Sequence, residues 1–369
     1  MEENNGTCNN TTYGYDDYTL YDEHIAGIYI WKIISPIMII MGTIGSILTI
    51  TVLNQKSFRK SVCTVYLSAL AVSDLIALNT GLLRNWIIWT FQIDIRESSD
   101  ITCKAHIFLV YLSLDFAAWM LAVVTIERAC LVCFPAKVKG FFTKRRALYI
   151  ILLVAIILIV LNGHMLFGFG DIVQHIDNGT ILATSCTYLS HDYKYFFSHI
   201  WPCIDFVIFC GVPSFILILG NTIIIWKAVK SKRNLARVSS IRISQQNQRN
   251  NAKISSMTAS LLTLNVVFLF ATTPISVYML CVDDWYLTPS THDLAVLSLM
   301  WPVVNILMYG NSALNFGLYI LSGRRFRSEA IKLFSSQMKH GVDTGELHDG
   351  RNVQAIHIST IQVQSINGQ

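Results

Sequence analysis

Long apolar runs alternate with short polar segments along most of this 369-residue chain. A helix that crosses a bilayer needs about 20 consecutive, mostly apolar residues, and seven runs reach that length. They lie roughly at residues 28–53, 62–89, 104–133, 147–169, 199–226, 255–281 and 294–321. The pattern predicts seven membrane-spanning helices. The first 25 residues are polar, without the apolar core of a signal peptide, so we expect the first helix to direct its own insertion.

Composition supports the membrane as the solvent of this chain. Hydrophobic residues make up 53% of the sequence and charged residues only 14%, whereas about a quarter of the residues in a soluble domain are charged. A soluble protein of two domains, the number suggested by length alone, would lack the charge to cover its surface. Fibrous and disordered classes are excluded on the same grounds.

The distribution of Lys and Arg predicts the orientation. Connections 54–61, 134–146 and 227–254 hold sixteen Lys and Arg and no Asp or Glu, and the connections between them hold at most one base each. Basic connections stay in the cytoplasm. We therefore expect a multi-pass plasma-membrane protein with an extracellular N-terminus and a cytoplasmic C-terminus. N-glycosylation sequons at Asn5, Asn9, Asn10 and Asn178 all fall on the predicted outer side.

Three of the nine cysteines lie in predicted outer segments, where oxidation is favoured: Cys8, Cys103 and Cys186. Cys103 begins the third span and Cys186 lies within the longest outer loop. A bridge between them would hold that loop over the helices, and a pairing of Cys8 with Cys281 is a second candidate.

Seven spans, an outer N-terminus and this candidate bridge resemble the rhodopsin-like (class A) G-protein-coupled receptors, over about residues 28–334. The second span has Leu67-Ser-Ala-Leu-Ala-Val-Ser-Asp74, similar to the family's L-x-x-x-A-x-x-D. The third ends Glu127-Arg128-Ala129, similar to D/E-R-Y. The seventh has Asn311-Ser-Ala-Leu-Asn315-Phe-Gly-Leu-Tyr319, similar to N-S-x-x-N-P-x-x-Y.

The resemblance implies an all-α membrane protein, a seven-helix bundle with a short amphipathic eighth helix. The domains would be an extracellular glycosylated tail (1–27), a receptor domain (28–322), the eighth helix (323–334) and a cytoplasmic tail (335–369). It also implies a polar cluster of Asp74, Asn311 and Asn315 that can hold a structural sodium ion, with no other cofactor or metal. Residues of activation and G-protein coupling would be Glu127, Arg128, Phe268, Pro274, Asn315 and Tyr319.

Several positions depart from the family pattern: Ser46, Ala129, Asn221, Thr272 and Phe316. Short strings around Pro274, Asn315 and Arg84 are similar instead to invertebrate neuropeptide receptors of the FMRFamide-receptor-like group. Val110 stands where amine receptors have a carboxylate, which disfavours an amine ligand. Residues 294–321 contain no Lys, which excludes a retinal Schiff base there.

The ligand candidates are charged or aromatic side chains in the outer half. Arg84 can receive a carboxylate or terminal amide of a peptide, and lipid-directed snorkelling is its alternative. Asp115 and Asp205 can take a ligand cation, or can be structural acids. Trp285 and Trp301 can anchor a peptide, or can belong to the interfacial aromatic belt. With six acids and no base in the first 27 residues, we expect a cationic ligand.

The sequence thus favours a receptor for an extracellular neuropeptide that signals to a heterotrimeric G protein, with arrestin and receptor kinases as further partners. No nucleic-acid partner and no enzyme activity are expected. The alternatives are a non-peptide or non-coupling receptor of the same fold, a transporter, and an intramembrane aspartyl protease using Asp74, Asp115 and Asp205. The sequence shows no internal repeats of the transporter type, and it lacks the paired Asp motif with flanking Gly that the protease alternative requires.

Overall fold

The computed structural model describes residues 18–59, 61–134, 138, 140–176, 180–237, 245–287, 289–333 and 335, with side chains at 172–184 and 231–259 left out. Within these residues, seven helices are long and apolar enough to cross a membrane, which confirms the predicted number. They are α1 (Asp22–Leu53), α2 (Cys63–Phe91), α3 (Asp100–Cys133), α4 (Lys144–Gly168), α5 (His191–Lys230), α6 (Ser260–Trp285) and α7 (Thr291–Ser322). The predicted glycosylation sites lie outside the described residues.

Helix α1 begins earlier than the expected residue 28 and takes in the end of the predicted tail. Asp22 and Glu23 lie in its first turn, where acidic side chains favour the helix dipole. This turn also packs on α7. The His24 ring lies 3.1 Å from Ser298 Oγ, and Glu23 lies 3.4 Å from His292.

Other helices also start earlier than the apolar runs, because polar residues cap them. A side-chain oxygen accepts a hydrogen bond from a backbone N–H of the first turn at Ser99, Thr143, Ser190 and Ser290. Such caps satisfy amide groups that the helix itself leaves unpaired. The apolar pattern therefore marks the membrane-embedded part of each helix and not its ends.

An antiparallel hairpin, not expected from the sequence, joins α4 to α5. Strands β1 (Phe169–Ile176) and β2 (Thr180–Tyr188) pair with Phe169 opposite Tyr188. Residues 169–188 include three Thr, three Ile and one Val, residue types that favour strands. A disulfide joins Cys103 at the start of α3 to Cys186 in β2, with Cα atoms 5.3 Å apart. We call this end of the bundle the disulfide end.

At the opposite end, residues 324–333 form the short helix α8. Phe326 and Ala330 are buried, with 5% and 2% of their surface exposed, whereas Ile331 is 60% exposed. The Phe326 ring packs on Tyr319 of α7 at 5.2 Å and on Phe58 at 6.2 Å. We call this the α8 end. The amphipathic eighth helix predicted from the sequence is therefore present.

Candidate functional site

A cavity of about 270 Å³ opens among the helices at the disulfide end. Side chains of α2, α3, α5, α6 and α7 form its walls, and Phe169 and Tyr188 of the hairpin lie at its mouth. Its apolar lining includes Val110, Leu114, Phe209, Ile275, Met279 and Met308. Helix α2 forms a wider, π-type turn at Leu78–Leu82, and Gly81 in this turn lines the cavity beside Tyr309.

Two arginines on one wall of the cavity share a single carboxylate. Asp94 Oδ1 and Oδ2 accept hydrogen bonds from Arg84 Nε and Nη2 at 2.9 and 2.5 Å. Asp94 Oδ2 also accepts from Arg96 Nη2 at 3.0 Å. Burial alone would raise the pKa of Asp94, but the bonds from Arg84 and Arg96 hold that pKa well below its usual range. Arg84 is therefore bound within the protein and does not snorkel to lipid.

Two acids occupy the cavity away from these arginines. Asp115 of α3 and Asp205 of α5 both line it, as the sequence suggested. Asp115 is 1% exposed and its Oδ2 accepts a hydrogen bond from Asn162 Nδ2 at 2.9 Å. Asp205 is half-buried. A cation entering the cavity would meet both carboxyl groups.

The two candidate tryptophans separate. Trp301 lines the cavity, whereas Trp285 does not: it is 39% exposed and packs edge-on against Tyr278 at 5.8 Å. Trp285 comes at the very end of α6, above the walls. Sequence reasoning missed Arg96 as a lining residue, although it is the only base in connection 90–103.

The predicted polar cluster lies at the centre of the bundle. Asn315 Nδ2 of α7 donates to Asp74 Oδ2 of α2 at 2.7 Å. Asp74, Asn311 and Asn315 are all buried, between 1% and 4% exposed. Among the described residues, Asp74 Oδ1, Asn311 Oδ1 and Asn315 Oδ1 have no hydrogen-bond partner. Unpaired buried acceptors are rare, so the cluster fits a bound cation or water.

Below the cluster, Arg128 faces the start of α2. Its Nη2 donates to Ser61 Oγ at 3.4 Å. The adjacent Glu127 is 3% exposed, and its Oε2 has no hydrogen-bond partner among the described residues. Tyr319 of α7 is also buried, and its hydroxyl has no hydrogen-bond partner among the described residues. The motif residues of α3 and α7 thus reach the same end of the bundle.

Phe268 of α6 packs against the lining of the cavity. It is 1% exposed and meets the ring of Phe209, which lines the cavity, at 6.2 Å. Further along α6, Pro274 lacks the N–H that would bond the preceding turn. In the preceding turn, the Thr272 and Thr273 hydroxyls donate to the carbonyls of Phe268 and Leu269 at 2.8 and 2.6 Å.

A polar contact missed in the sequence joins α3, α5 and α6. Asn265 Nδ2 donates to Thr125 Oγ1 and to Asn221 Oδ1, each at 2.9 Å. Asn265 is 1% exposed. Asn221 is one of the positions that depart from the family pattern, and its partner on α6 gives the departure a structural reason. We call this set the Asn265 contact.

Comparison with known proteins identifies the family. Residues 45–319 match the family described as 7 transmembrane receptor (rhodopsin family). The chain belongs to this family. G-protein coupled receptor 65 of Homo sapiens is 27% identical over 165 residues, covering 45% of this chain and 48% of that protein. Neuromedin-U receptor 2 of Mus musculus is 26% identical over 314 residues, covering 84% and 76%. Growth hormone secretagogue receptor type 1 of Sus scrofa is 24% identical over 301 residues, covering 80% and 78%.

Membership in the rhodopsin family, together with seven apolar helices, makes this receptor a multi-pass membrane protein. It belongs to a family of signalling receptors rather than enzymes. The narrower resemblance to invertebrate FMRFamide-receptor-like proteins stays a prediction, as do the roles of the individual site residues.

Proposed function

We propose that this receptor binds an extracellular peptide and transmits the binding to a heterotrimeric G protein. The observation that carries the proposal is a charged cavity whose lining residue Phe209 packs on Phe268, within the same buried core that contains Tyr319 of the α8 end. Relatives that align over most of the chain are named as receptors for neuromedin U and growth hormone secretagogues, which supports a peptide ligand.

In this proposal the receptor lies in the plasma membrane, and its disulfide end faces the extracellular space. The basic connection 54–61 lies at the α8 end, where Phe58 packs on Phe326, and the cytoplasm would retain it. The G protein would then meet Arg128, and the C-terminal tail would be available to receptor kinases and arrestin. The acidic N-terminal segment would attract a cationic peptide towards the cavity.

Ligand binding would act by shifting a population between two arrangements of α6. A ligand side chain that displaces Phe209 repacks Phe268 and frees α6 to move about the bend at Pro274. The movement exposes Arg128 to the G protein. A sodium ion held by Asp74, Asn311 and Asn315 would favour the resting arrangement, because their unpaired oxygens suit a hard cation.

The experiment is a calcium and cyclic-AMP screen of peptides on cells that express the full chain. We expect a basic peptide to signal, and Arg128→Ala to abolish the response at equal surface expression. Arg59→Ala is the matched control, since Arg59 is an exposed base of the same end that bonds only the local Asn54 carbonyl among the described contacts. An equal response of Arg128→Ala and the unmodified protein, or preference for an acidic peptide, would overturn the proposal.

A further inference from the structure

The cavity carries opposite charges on two of its walls. Arg84 of α2 and Arg96 of the following connection line one wall, and Asp115 and Asp205 of α3 and α5 line another. Between His106 and Asp115 in the sequence of α3, the apolar residues Val110 and Leu114 also line the cavity. A ligand that carries a single charge would leave one pair without a counter-charge, in surroundings where burial of charge is costly.

The arginine wall holds an excess of positive charge. Two guanidinium groups share the one carboxylate of Asp94, and of these three side chains only the arginines line the cavity. Glu97 also lies near Arg96, but it is exposed and does not line the cavity. Nearby His106 is engaged with the Thr80 carbonyl at 3.3 Å. Guanidinium groups bind carboxylates in bidentate geometry, so this wall is suited to an anionic group of the ligand.

The carboxyl wall has the opposite requirement. Asp115 receives one hydrogen bond, from Asn162, and shares the cavity with Asp205. Two carboxylates in a poorly solvated cavity repel each other, and a cation placed between them removes the repulsion. A guanidinium or ammonium group satisfies both acids at once.

The size of the cavity limits what enters. A volume of about 270 Å³ lies just below the range of about 300–1,000 Å³ that is typical of small-molecule sites. His106, beside the arginines, precedes Asp115 by nine residues of α3, or about 13 Å along the helix axis. Two extended residues span about 7 Å, and a long basic side chain covers the rest. The cavity therefore takes one end of a peptide and not its whole length.

We propose that the cavity binds the C-terminal end of a peptide with a free carboxylate and a basic residue at the last or second-last position. The carboxylate pairs with Arg84 and Arg96, and the basic side chain lies between Asp115 and Asp205. This inference rests on the proposed function and defines the chemistry of its ligand: the terminus that enters, its charge and its orientation.

The test uses four small probes on the purified full-length receptor in lipid nanodiscs: acetyl-Gly-Arg and acetyl-Arg-Gly, each as the free acid and as the carboxamide. Citrulline analogues, which keep the shape of arginine without its charge, complete the set. We expect at least one free acid to raise the melting temperature. Its carboxamide and its citrulline analogue should bind at least tenfold more weakly.

Two variants assign the charges to the two walls. Arg96→Gln should weaken the binding of the free acid about tenfold and leave the binding of the carboxamide unchanged. Asp94 keeps its bonds to Arg84 in this variant. Asp205→Asn should remove the preference for arginine over citrulline. Lys194→Gln and Asp284→Asn are the matched controls, since both residues are exposed at the same end and neither lines the cavity.

Equal binding of the free acid and the carboxamide would overturn the inference. It would also be overturned if both variants melt like the unmodified receptor and still prefer the acid over the carboxamide and arginine over citrulline. A dipeptide amide with a free N-terminus and an acidic side chain carries the two charges in the opposite arrangement. If it binds more tightly than the free acids, the proposed orientation is wrong and the inference is overturned. The outcome is independent of signalling, because the probes report binding alone. A receptor that signals through Arg128 but binds none of the probes loses this inference and keeps its proposed function.

Discussion

A single carboxylate, Asp94, holds two arginine side chains against the cavity wall. It also accepts a hydrogen bond from the Arg96 backbone N–H at 3.0 Å and so caps the turn Ile95–Ser98. One residue therefore fixes both the local backbone and the charge of the wall. Its side chain is only 15% exposed, which shields these interactions from solvent.

Replacing Asp94 by Asn should lower stability by about 2–3 kcal/mol, the typical size for hydrogen bonds to charged groups. Since the bonds to Arg84 and Arg96 hold the pKa of Asp94 below its unfolded value of about 3.9, the contribution is fully present above that value. It is lost as the pH falls through the lower folded pKa. The difference in melting temperature between Asp94→Asn and the unmodified receptor should thus be equal at pH 7 and pH 5. A difference that shrinks at pH 5 would contradict this.

Gly81 shows how a small residue shapes the cavity. A Cβ at this position would lie 1.9 Å from the Tyr309 hydroxyl and 2.8 Å from its Cζ atom. Gly81→Ala should force the Tyr309 ring away and cost about 1–3 kcal/mol of stability, as overpacking does. Thermal unfolding of the purified receptor measures this. Gly317→Ala, where a Cβ meets nothing within 4 Å, should leave stability unchanged or raise it.

For individual residues, the sequence predicted which acids belong to the site better than it predicted which other side chains contact the cavity. Asp115 and Asp205 stood out because acids inside apolar helices are costly, and both line the cavity. Arg96 was missed because it lies in a connection, where a single base is ordinary. Trp285 was a candidate because it is aromatic and lies at the mouth between α6 and α7, but it is 39% exposed and does not line the cavity.

Helix α6 combines an internal proline with a polar restraint. Pro274 weakens the helix backbone, while the Asn265 contact ties the helix to α3 and α5 nine residues away. In a buried setting each of these bonds contributes roughly 1 kcal/mol net. The restraint is therefore small enough for ligand binding to overcome.

Asn265→Leu should raise ligand-independent signalling several-fold, because loss of two bonds shifts the population towards the moved α6 by about 1–2 kcal/mol. Basal cyclic-AMP or calcium signal per surface receptor measures the change. Thr222→Ala is a suitable control, since Thr222 is exposed and bonds the Ile218 carbonyl of its own helix. Basal signalling equal to that of the unmodified receptor would show that the Asn265 contact does not restrain α6.

The sequence predicted the number and order of the long helices because membrane crossing requires apolar length. It could not predict their ends, which depend on local caps such as Ser190 and on packing such as that of His24 against α7. It also missed the hairpin, whose strands are held by pairing with each other and by the bridge to α3 rather than by any apolar run.

Across the whole molecule, the Cys103–Cys186 disulfide closes a chain segment of 83 residues that includes α4. A loop of this length corresponds to roughly 4–5 kcal/mol in the chain-entropy description. The double variant Cys103→Ser, Cys186→Ser should therefore melt markedly lower than the unmodified receptor. Cys203→Ser, which alters an exposed free cysteine of α5, should not, and a similar loss in this control would contradict the assignment.

The position of the hairpin bears on how fast a ligand comes and goes. Phe169 and Tyr188 lie at the cavity mouth with their rings 5.1 Å apart, and both also pack on Phe197 of α5. Since Cys186 ties the hairpin to α3, a ligand that enters past these rings has to displace aromatic side chains that their neighbours hold in place. Association would then be slower than diffusion allows. The same barrier would lengthen the residence time of the bound ligand, so that signalling would continue after a brief pulse of ligand has ended.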